Sequence, residues 1–257
     1  MKIRKREWFD DASFWRQLYP FMFPEKDMAE VGAQMAKALK LARPGGKTAL
    51  DLCCGAGRYS IALAKKGFSV TGLDKTKYLL DKGRQQAREA RVPIKWVRAD
   101  MRDFVRPGAF SFVLSMYSSF GYFENKNEDI VVLEKIFASL QPGGVLLMDL
   151  RNKESLAKIP ESTTYHRLPD GSQLIERREI FDDCVRVRNQ WRLKIKGKAR
   201  SYKFAATVYS APQVRDMLKR AGFVDVKLYG NLDGEKYGPS TPRLIAVAHK
   251  PNLKHRN

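Results

Sequence analysis

The 257-residue chain is poor in the residues that build metal and redox centres, with three cysteines and three histidines. Cys53 and Cys54 are adjacent and Cys184 is remote. Neighbouring cysteines rarely pair, so no disulfide framework is expected and a reducing cytoplasm suits the chain. His166, His249 and His255 stand at no metal-ligand spacing with a Cys or another His, which argues against protein-held zinc or iron. No apolar run approaches the roughly 18 residues of a membrane-spanning helix. The basic N-terminus, MKIRKREWFDDASFW, lacks the apolar stretch of a secretory signal. There is no internal repeat and no linker rich in Pro, Gly or Ser. Acidic residues are also scarce, 28 against 48 Lys and Arg, for a net charge of +20.

What is present is globular: 44% apolar, 30% charged and 11% aromatic residues, enough for one sizeable core. The positive excess is uneven, because residues 151–257 alone carry a net of +12. Such a field attracts polyanions. A plain solubility charge explains it equally well.

Asp27 is placed to cap a helix over about 28–42, with Met28, Val31, Met35 and Leu39 on one face. Apolar runs at 48–53, 68–73, 94–99, 110–116 and 145–150 read as strands, with helical patterns at 58–66, 76–91 and 127–140 between them. That alternation predicts a parallel sheet covered on both faces. Near residue 151 it stops. Period-two patterning at 168–180, 185–196 and 200–209, with turns at 169–171 and 197–198, predicts an antiparallel insertion. Ser210 then caps a helix that has Pro212 in its first turn and ends at Gly222, and strands at 223–229 and 243–249 close the chain. The expected organisation is an α/β body of residues 1–150 and 210–257, with an N-terminal helical lid over about 1–42. Residues 151–209 form the β insertion, a roof for substrate.

The first strand runs into Asp51-Leu52-Cys53-Cys54-Gly55-Ala56-Gly57-Arg58. Gly55 and Gly57 allow a tight turn and close approach of backbone to a ligand. Asp74 ends the second strand, where an acid can accept both hydroxyls of a ribose. An adenosine-containing cofactor follows. A dinucleotide would set its pyrophosphate beside Asp51, against the charge of that acid. S-adenosylmethionine has no phosphate and brings a sulfonium and an ammonium, which Asp51 attracts. Asp100 ends the third strand and can accept from the adenine amino group, with the Met101 amide donating to the adjacent ring nitrogen. Arg58 is either solvated or reaches the cofactor carboxylate.

These segments resemble the class I S-adenosylmethionine-dependent methyltransferases. The resemblance rests on Asp51-x-Cys53-x-Gly55-x-Gly57, Gly72-Leu73-Asp74, Ala99-Asp100-Met101-Arg102-Asp103 and Leu140-Gln141-Pro142-Gly143-Gly144. The family places Gly where Cys53 stands. More narrowly, the chain is similar to a bacterial and archaeal subgroup. The likeness lies in the aromatic segment of residues 14–23, Ser118-Ser119-Phe120-Gly121-Tyr122-Phe123, and an antiparallel insertion before the last helix. It implies a Rossmann-like α/β fold with a seven-stranded sheet, mostly parallel with the last strand antiparallel, and helices on both faces. It implies S-adenosylmethionine held by Tyr19, Phe23, Asp51, Cys53, Gly55, Ala56, Gly57, Arg58, Asp74, Lys75, Asp100, Met101 and Met116. The helical stripe Trp15, Leu18, Tyr19, Met22 reads as core and lid together.

Methyl transfer to a small-molecule N, O or carboxylate acceptor is the expected activity, driven mainly by proximity and desolvation. The acceptor would meet Tyr117, Phe120, Tyr122, Arg151 and Trp191, near Met116 and Asn152. A general base has candidates by type only: Tyr117, Tyr122 and Tyr229. Along 185–196, Arg186, Arg188, Arg192, Lys194 and Lys196 fall on even positions, and Val185, Val187, Trp191, Leu193 and Ile195 on odd ones, separating a cationic from an apolar face. That ribbon is either a solvated outer face or a dock for RNA or another anionic partner, which keeps an RNA methyltransferase as an alternative. A nicotinamide-dependent oxidoreductase using the same turn, with Ser60 for the third glycine, is a further one.

Overall fold

A computed structural model of the chain describes residues 7–168, 170–182 and 185–252, with the side chains of residues 25–29 outside that description. Cys184, His255 and Pro169 of the predicted turn therefore lie outside the described residues.

Seven strands form one sheet in the order β10-β11-β5-β4-β1-β2-β3. They are β1 (Thr48–Leu52), β2 (Ser69–Asp74), β3 (Ile94–Arg98), β4 (Phe110–Ser115), β5 (Leu140–Arg151), β10 (Val224–Tyr229) and β11 (Arg243–His249). Neighbours are parallel from β3 through to β5, and β11 runs antiparallel to both β5 and β10. Every residue of β4 is buried, as a central strand covered on both faces requires. On one face, α2 (Glu25–Ala42) and α3 (Arg58–Lys65) bring Val31, Met35, Ala38, Ala62 and Leu63 onto Ala49, Phe112 and Leu114. On the other, α5 (Asn127–Ser139) and α7 (Ala211–Arg220) bring Leu133, Ile136, Val214 and Leu218 onto Leu50, Leu146 and Ala246. The side chain of Ser210 caps α7 as expected, in a reciprocal pair with Gln213.

A second, antiparallel sheet has the order β6-β7-β8-β9, from β6 (Glu161–Arg167), β7 (Gln173–Phe181), β8 (Arg186–Ile195) and β9 (Lys198–Thr207). Its inner face and α1 (Ala12–Met22) share a third core, in which Phe14 and Leu18 meet Leu174, Leu193 and Phe204. α1 also leans on α4 (Lys77–Glu89), where the Gln86 side-chain amide donates to the Tyr19 hydroxyl. The N-terminal helix is thus held between the two sheets. Among the described residues no helix is long and apolar enough to cross a membrane.

Four local expectations change. α2 begins at Glu25, with Pro24 at its N-cap, so Asp27 lies inside the first turn and is not the cap. The insertion has a fourth strand, β6, nearly all of it exposed and therefore without the apolar alternation that marks a strand. A short helix, α6 (Lys153–Ala157), follows β5, capped by the Asn152 side chain. Finally, Lys196 does not belong to the β8 face. Ile195 pairs with Lys198, so Lys196 and Gly197 form a two-residue hairpin turn, both at positive φ.

Candidate functional site

β1 delivers Asp51 to the C-terminal end of the central parallel strands, after which the chain turns through three alternate left-handed residues: Cys53 (φ 58°), Gly55 (φ 57°) and Gly57 (φ 78°). The Cys53 position thus has the backbone conformation that suits glycine. Its sulfur lies 3.4 Å from that of Met101. Gly57 has a different reason to be glycine, since a Cβ there would collide with the Trp96 indole.

Two buried acids frame the turn. Asp74 Oδ2 accepts the Gly55 amide at 2.9 Å and Oδ1 accepts the Thr76 amide at 2.8 Å. Asp51 Oδ2 accepts from the Ser60 hydroxyl at 2.6 Å. Ser60 therefore serves Asp51. Burial pushes the Asp51 carboxyl up to about 7, and the negative charge of Asp74 adds to the shift. Burial raises Asp74 as well, against the amides that favour its ionised form. Arg58, the first residue of α3, is buried and packs its guanidinium 4.0 Å from the Tyr117 ring centre. Among the described residues it makes no ion pair.

These groups open into a cavity of about 230 Å³. Of the expected cofactor residues, Phe23, Asp51, Cys53, Gly55, Arg58, Asp74, Lys75, Asp100, Met101 and Met116 line it. Ala56 and Gly57 are not part of its lining. Tyr19 is also displaced, stacking on Phe23 at 5.1 Å between ring centres. The roof contains two residues that sequence reasoning missed, Trp8 and Phe9, beside Trp15 and Met22. The density of aromatics between residues 8 and 23 was the available signal.

The roof is latched by charge. Arg102, with 2% of its side chain exposed, bonds Glu7 and Asp100 at 2.6 Å each and Glu128 at 3.1 Å. Lys75 pairs with Asp10 at 2.7 Å and reaches Asp100 at 3.3 Å. These contacts hold the 3₁₀ turn Trp8–Asp10 over the cavity. They also occupy Asp100. Both of its oxygens accept from Arg102, one of them also from the Arg102 amide, so the acceptor capacity of the carboxylate is largely taken. The Asp100 carboxyl is held down to about 2, its burial outweighed by the Arg102 and Lys75 contacts.

The far end of the cavity is the loop after β4. Tyr117 and Ser118 are both left-handed, at φ 58° and 57°. Asp149 of β5 holds this strained pair through the Tyr117 amide at 3.2 Å and, by its carbonyl, the Ser118 amide at 2.9 Å. Arg243 of β11 pairs with Asp149 at 2.6 Å and donates to the Ser118 hydroxyl at 3.0 Å. Ser118 and Tyr122 also line a second, smaller cavity of about 30 Å³, with Phe120, Arg151 and Asn189 in its wall. Trp191 lines neither cavity; its ring stacks on Phe14 at 5.9 Å, inside the core beneath α1. Tyr229 sits on β10 and lines neither.

The donor set fits S-adenosylmethionine. Two buried acids without an ion-pair partner among the described residues suit a cationic ligand, and a buried guanidinium beside them, likewise unpaired among the described residues, suits its carboxylate.

Comparison with known proteins agrees. Residues 49–144 match a family described as "Methyltransferase domain". The Bacillus subtilis (strain 168) protein named "Putative methyltransferase YqeM" is 28% identical over 84% of this chain and 90% of its own length. A Streptomyces venezuelae dTDP-3-amino-3,4,6-trideoxy-alpha-D-glucopyranose N,N-dimethyltransferase is 29% identical over 48% of this chain and 51% of its own. The fold matches the crystal structure of an S-adenosylmethionine-dependent methyltransferase from Clostridium acetobutylicum ATCC 824. That match has a TM-score of 0.78, at 13% identity over 93% of this chain and 98% of the other. With the acid-lined turn at the tip of β1, these likenesses support a class I S-adenosylmethionine-dependent methyltransferase with S-adenosylmethionine as its cofactor, the family match spanning residues 49–144 and the fold match most of the chain.

Proposed function

We propose that the protein methylates a nitrogen, oxygen or carboxylate of a small molecule. The observation that carries this reading is the roofed cavity. It runs from the acids at the tip of β1 to the Met116–Phe123 loop, under Trp8, Phe9 and Trp15. A pocket roofed by Trp8, Phe9 and Trp15 and closed by Phe123 admits a small acceptor more readily than a folded RNA. Similarity to an amino-sugar N,N-dimethyltransferase supports the same class.

In this reading Asp74 holds ribose hydroxyls while its other contact fixes Gly55. Asp51 faces the cationic end of the cofactor, Arg58 takes its carboxylate, and the Met101 amide meets the adenine ring. Bound there, the cofactor would supply an electrophilic methyl on a positively charged sulfur. The protein's own part is to align the acceptor and exclude water. Trp8, Phe9 and Trp15 cover the site, and the Asp149 clamp on Tyr117 and Ser118 sets the shape of the acceptor end. Burial raises the Tyr122 hydroxyl above its ordinary value, which keeps it protonated near neutral pH. Proximity and desolvation then do most of the catalysis. Residues 151–209, on a body made of residues 1–150 and 210–257, back the N-terminal roof through Leu174, Leu193 and Phe204 and wall the smaller cavity through Val187 and Asn189.

The test is transfer of label from methyl-labelled S-adenosylmethionine to a panel of small amines, hydroxyl compounds and carboxylates, beside bulk tRNA and rRNA. Label in a small-molecule product supports the reading. Label confined to RNA contradicts it.

A further inference from the structure

Asp129 stands in the first turn of α5, where an exposed acid would serve the helix dipole. Its side chain is instead fully buried, and it makes no ion pair among the described residues. Oδ1 accepts the Gly121 amide at 3.2 Å, and Oδ2 accepts from the Tyr209 hydroxyl at 2.7 Å. Burial pushes the carboxyl up to about 6, and the Glu128 charge adds to the shift. The two hydrogen bonds and the Arg102 charge work the other way. A buried carboxylate held by two neutral donors is costlier than an apolar side chain of similar volume. What an apolar side chain could not do there is hold Gly121.

Gly121 is the pinned middle of the loop after β4. Its carbonyl accepts the Thr207 amide at 2.7 Å. It lies at φ 94°, and a Cβ there would collide with the Thr207 carbonyl oxygen, so only glycine lets the loop lie this close to the end of β9. Tyr209, two residues beyond β9, packs its ring 5.7 Å from that of Phe120 in the same loop. On either side of Gly121, Ser118, Ser119, Tyr122 and Phe123 line the large cavity. Neither Asp129 nor Gly121 lines it. Asp149 therefore fixes the loop where it leaves β4, and Asp129 fixes its middle from outside the cavity.

We propose that Asp129 is a positioning residue for the methyl acceptor: acting through Gly121, it holds the Ser118–Phe123 loop in the shape that presents the acceptor to the methyl group. Tyr209 holds Asp129 in turn and ties the loop to the end of β9. This rests on the proposed small-molecule activity and adds a residue to its acceptor end.

The full chain is compared with Asp129→Ala, Asp129→Asn and Tyr209→Phe, using whichever acceptor the labelled-methyl panel identifies. Asp129→Ala is expected to lower kcat/KM for the acceptor by about tenfold or more, the scale of a misplaced reactant, with S-adenosylhomocysteine affinity within about twofold of wild type. Asp129→Asn keeps an oxygen for the Gly121 amide and restores most of the loss. If Asp129→Ala does not fold, Tyr209→Phe replaces it, and a loss of the same kind is expected. Equal losses of turnover and of S-adenosylhomocysteine affinity would mean general damage and overturn the proposal. Unchanged turnover in the folded variant overturns it as well. Amide exchange of residues 117–124 in the S-adenosylhomocysteine complex needs no acceptor. Faster exchange there, with residues 51–58 unchanged, is expected in the same variant, and equal exchange in variant and wild type overturns the proposal. No product from any acceptor, beside that local change in exchange, counts against the small-molecule reading and not against the clamp.

Discussion

Asp74 Oδ2 accepts the Gly55 amide at 2.9 Å, so the acid that faces the cofactor cavity is also the one that shapes its turn. Asp74→Ala removes both functions. S-adenosylhomocysteine binding is expected to weaken by about 1–3 kcal/mol, the cost of losing a charged hydrogen-bond partner. Calorimetric titration checks it, and unchanged affinity would refute the assignment.

Gly55 occupies a left-handed conformation at φ 57°, and a Cβ there would come within 3.2 Å of the Phe23 ring. Gly55→Val places a β-branched residue where backbone strain alone costs about 1–2 kcal/mol. The expected outcome is a folded protein that no longer binds S-adenosylhomocysteine, read by circular dichroism and calorimetry on the same sample. Retained binding would put the ligand elsewhere.

Asp51 links binding to pH. Its carboxyl sits near 7 in the folded chain and at 3.8 ordinarily, so the folded state holds a proton that the unfolded chain releases. The sign follows: unliganded stability declines as pH rises from about 4 to 7. A cationic ligand favours the ionised acid, so affinity for S-adenosylmethionine should climb by up to about tenfold per pH unit below 7 and level off above. Asp51→Asn should flatten that profile. A pH-independent wild-type affinity would contradict the role.

Arg102 gathers Glu7, Asp100 and Glu128 around one buried guanidinium. Arg102→Met leaves those carboxylates without their cation and is expected to cost about 3–5 kcal/mol, with the roof loosened as well. Asp100 responds in the opposite sense to Asp51. Its folded value of about 2 lies below the ordinary 3.8, so its contribution is complete above about 4 and is lost as pH falls towards 2. Chemical denaturation at pH 7 and pH 3 measures both. A variant as stable as wild type would mean that the latch contributes nothing.

The β8 outer face offers a test of RNA use. Arg188 is already paired with Glu179 at 2.9 Å, and both are about half exposed. Replacing Arg188, Arg192 and Lys194 together with Ser should leave small-molecule turnover within about twofold, since exposed charges contribute little. A large selective loss would point to an anionic macromolecule.

The parallel strands were legible in the sequence because core strands covered on both faces read as apolar runs between breakers, as FSFVLS does in β4. The turn at Gly55 was legible because glycine reports a backbone need directly. Other features were not. β6, Glu-Ser-Thr-Thr-Tyr-His-Arg, has no apolar face to betray it. Arg102 meets Glu7 across 95 positions, a contact that local pattern does not encode. Asp100 was expected to meet adenine from its place after β3, but its oxygens serve that same arginine. Trp191 follows the odd-numbered apolar face of β8, and only the packing of α1 shows that this face is filled by Phe14.

The central claim is that the acid-lined crevice at the tip of β1 binds a sulfur nucleoside and not a pyrophosphate. Calorimetric titration of the full chain with S-adenosylhomocysteine and, in parallel, with NAD tests it most directly. Saturable one-site binding of the first, weakened in Asp74→Ala, is expected, and none of the second. Binding of NAD alone, or of neither compound, would contradict it.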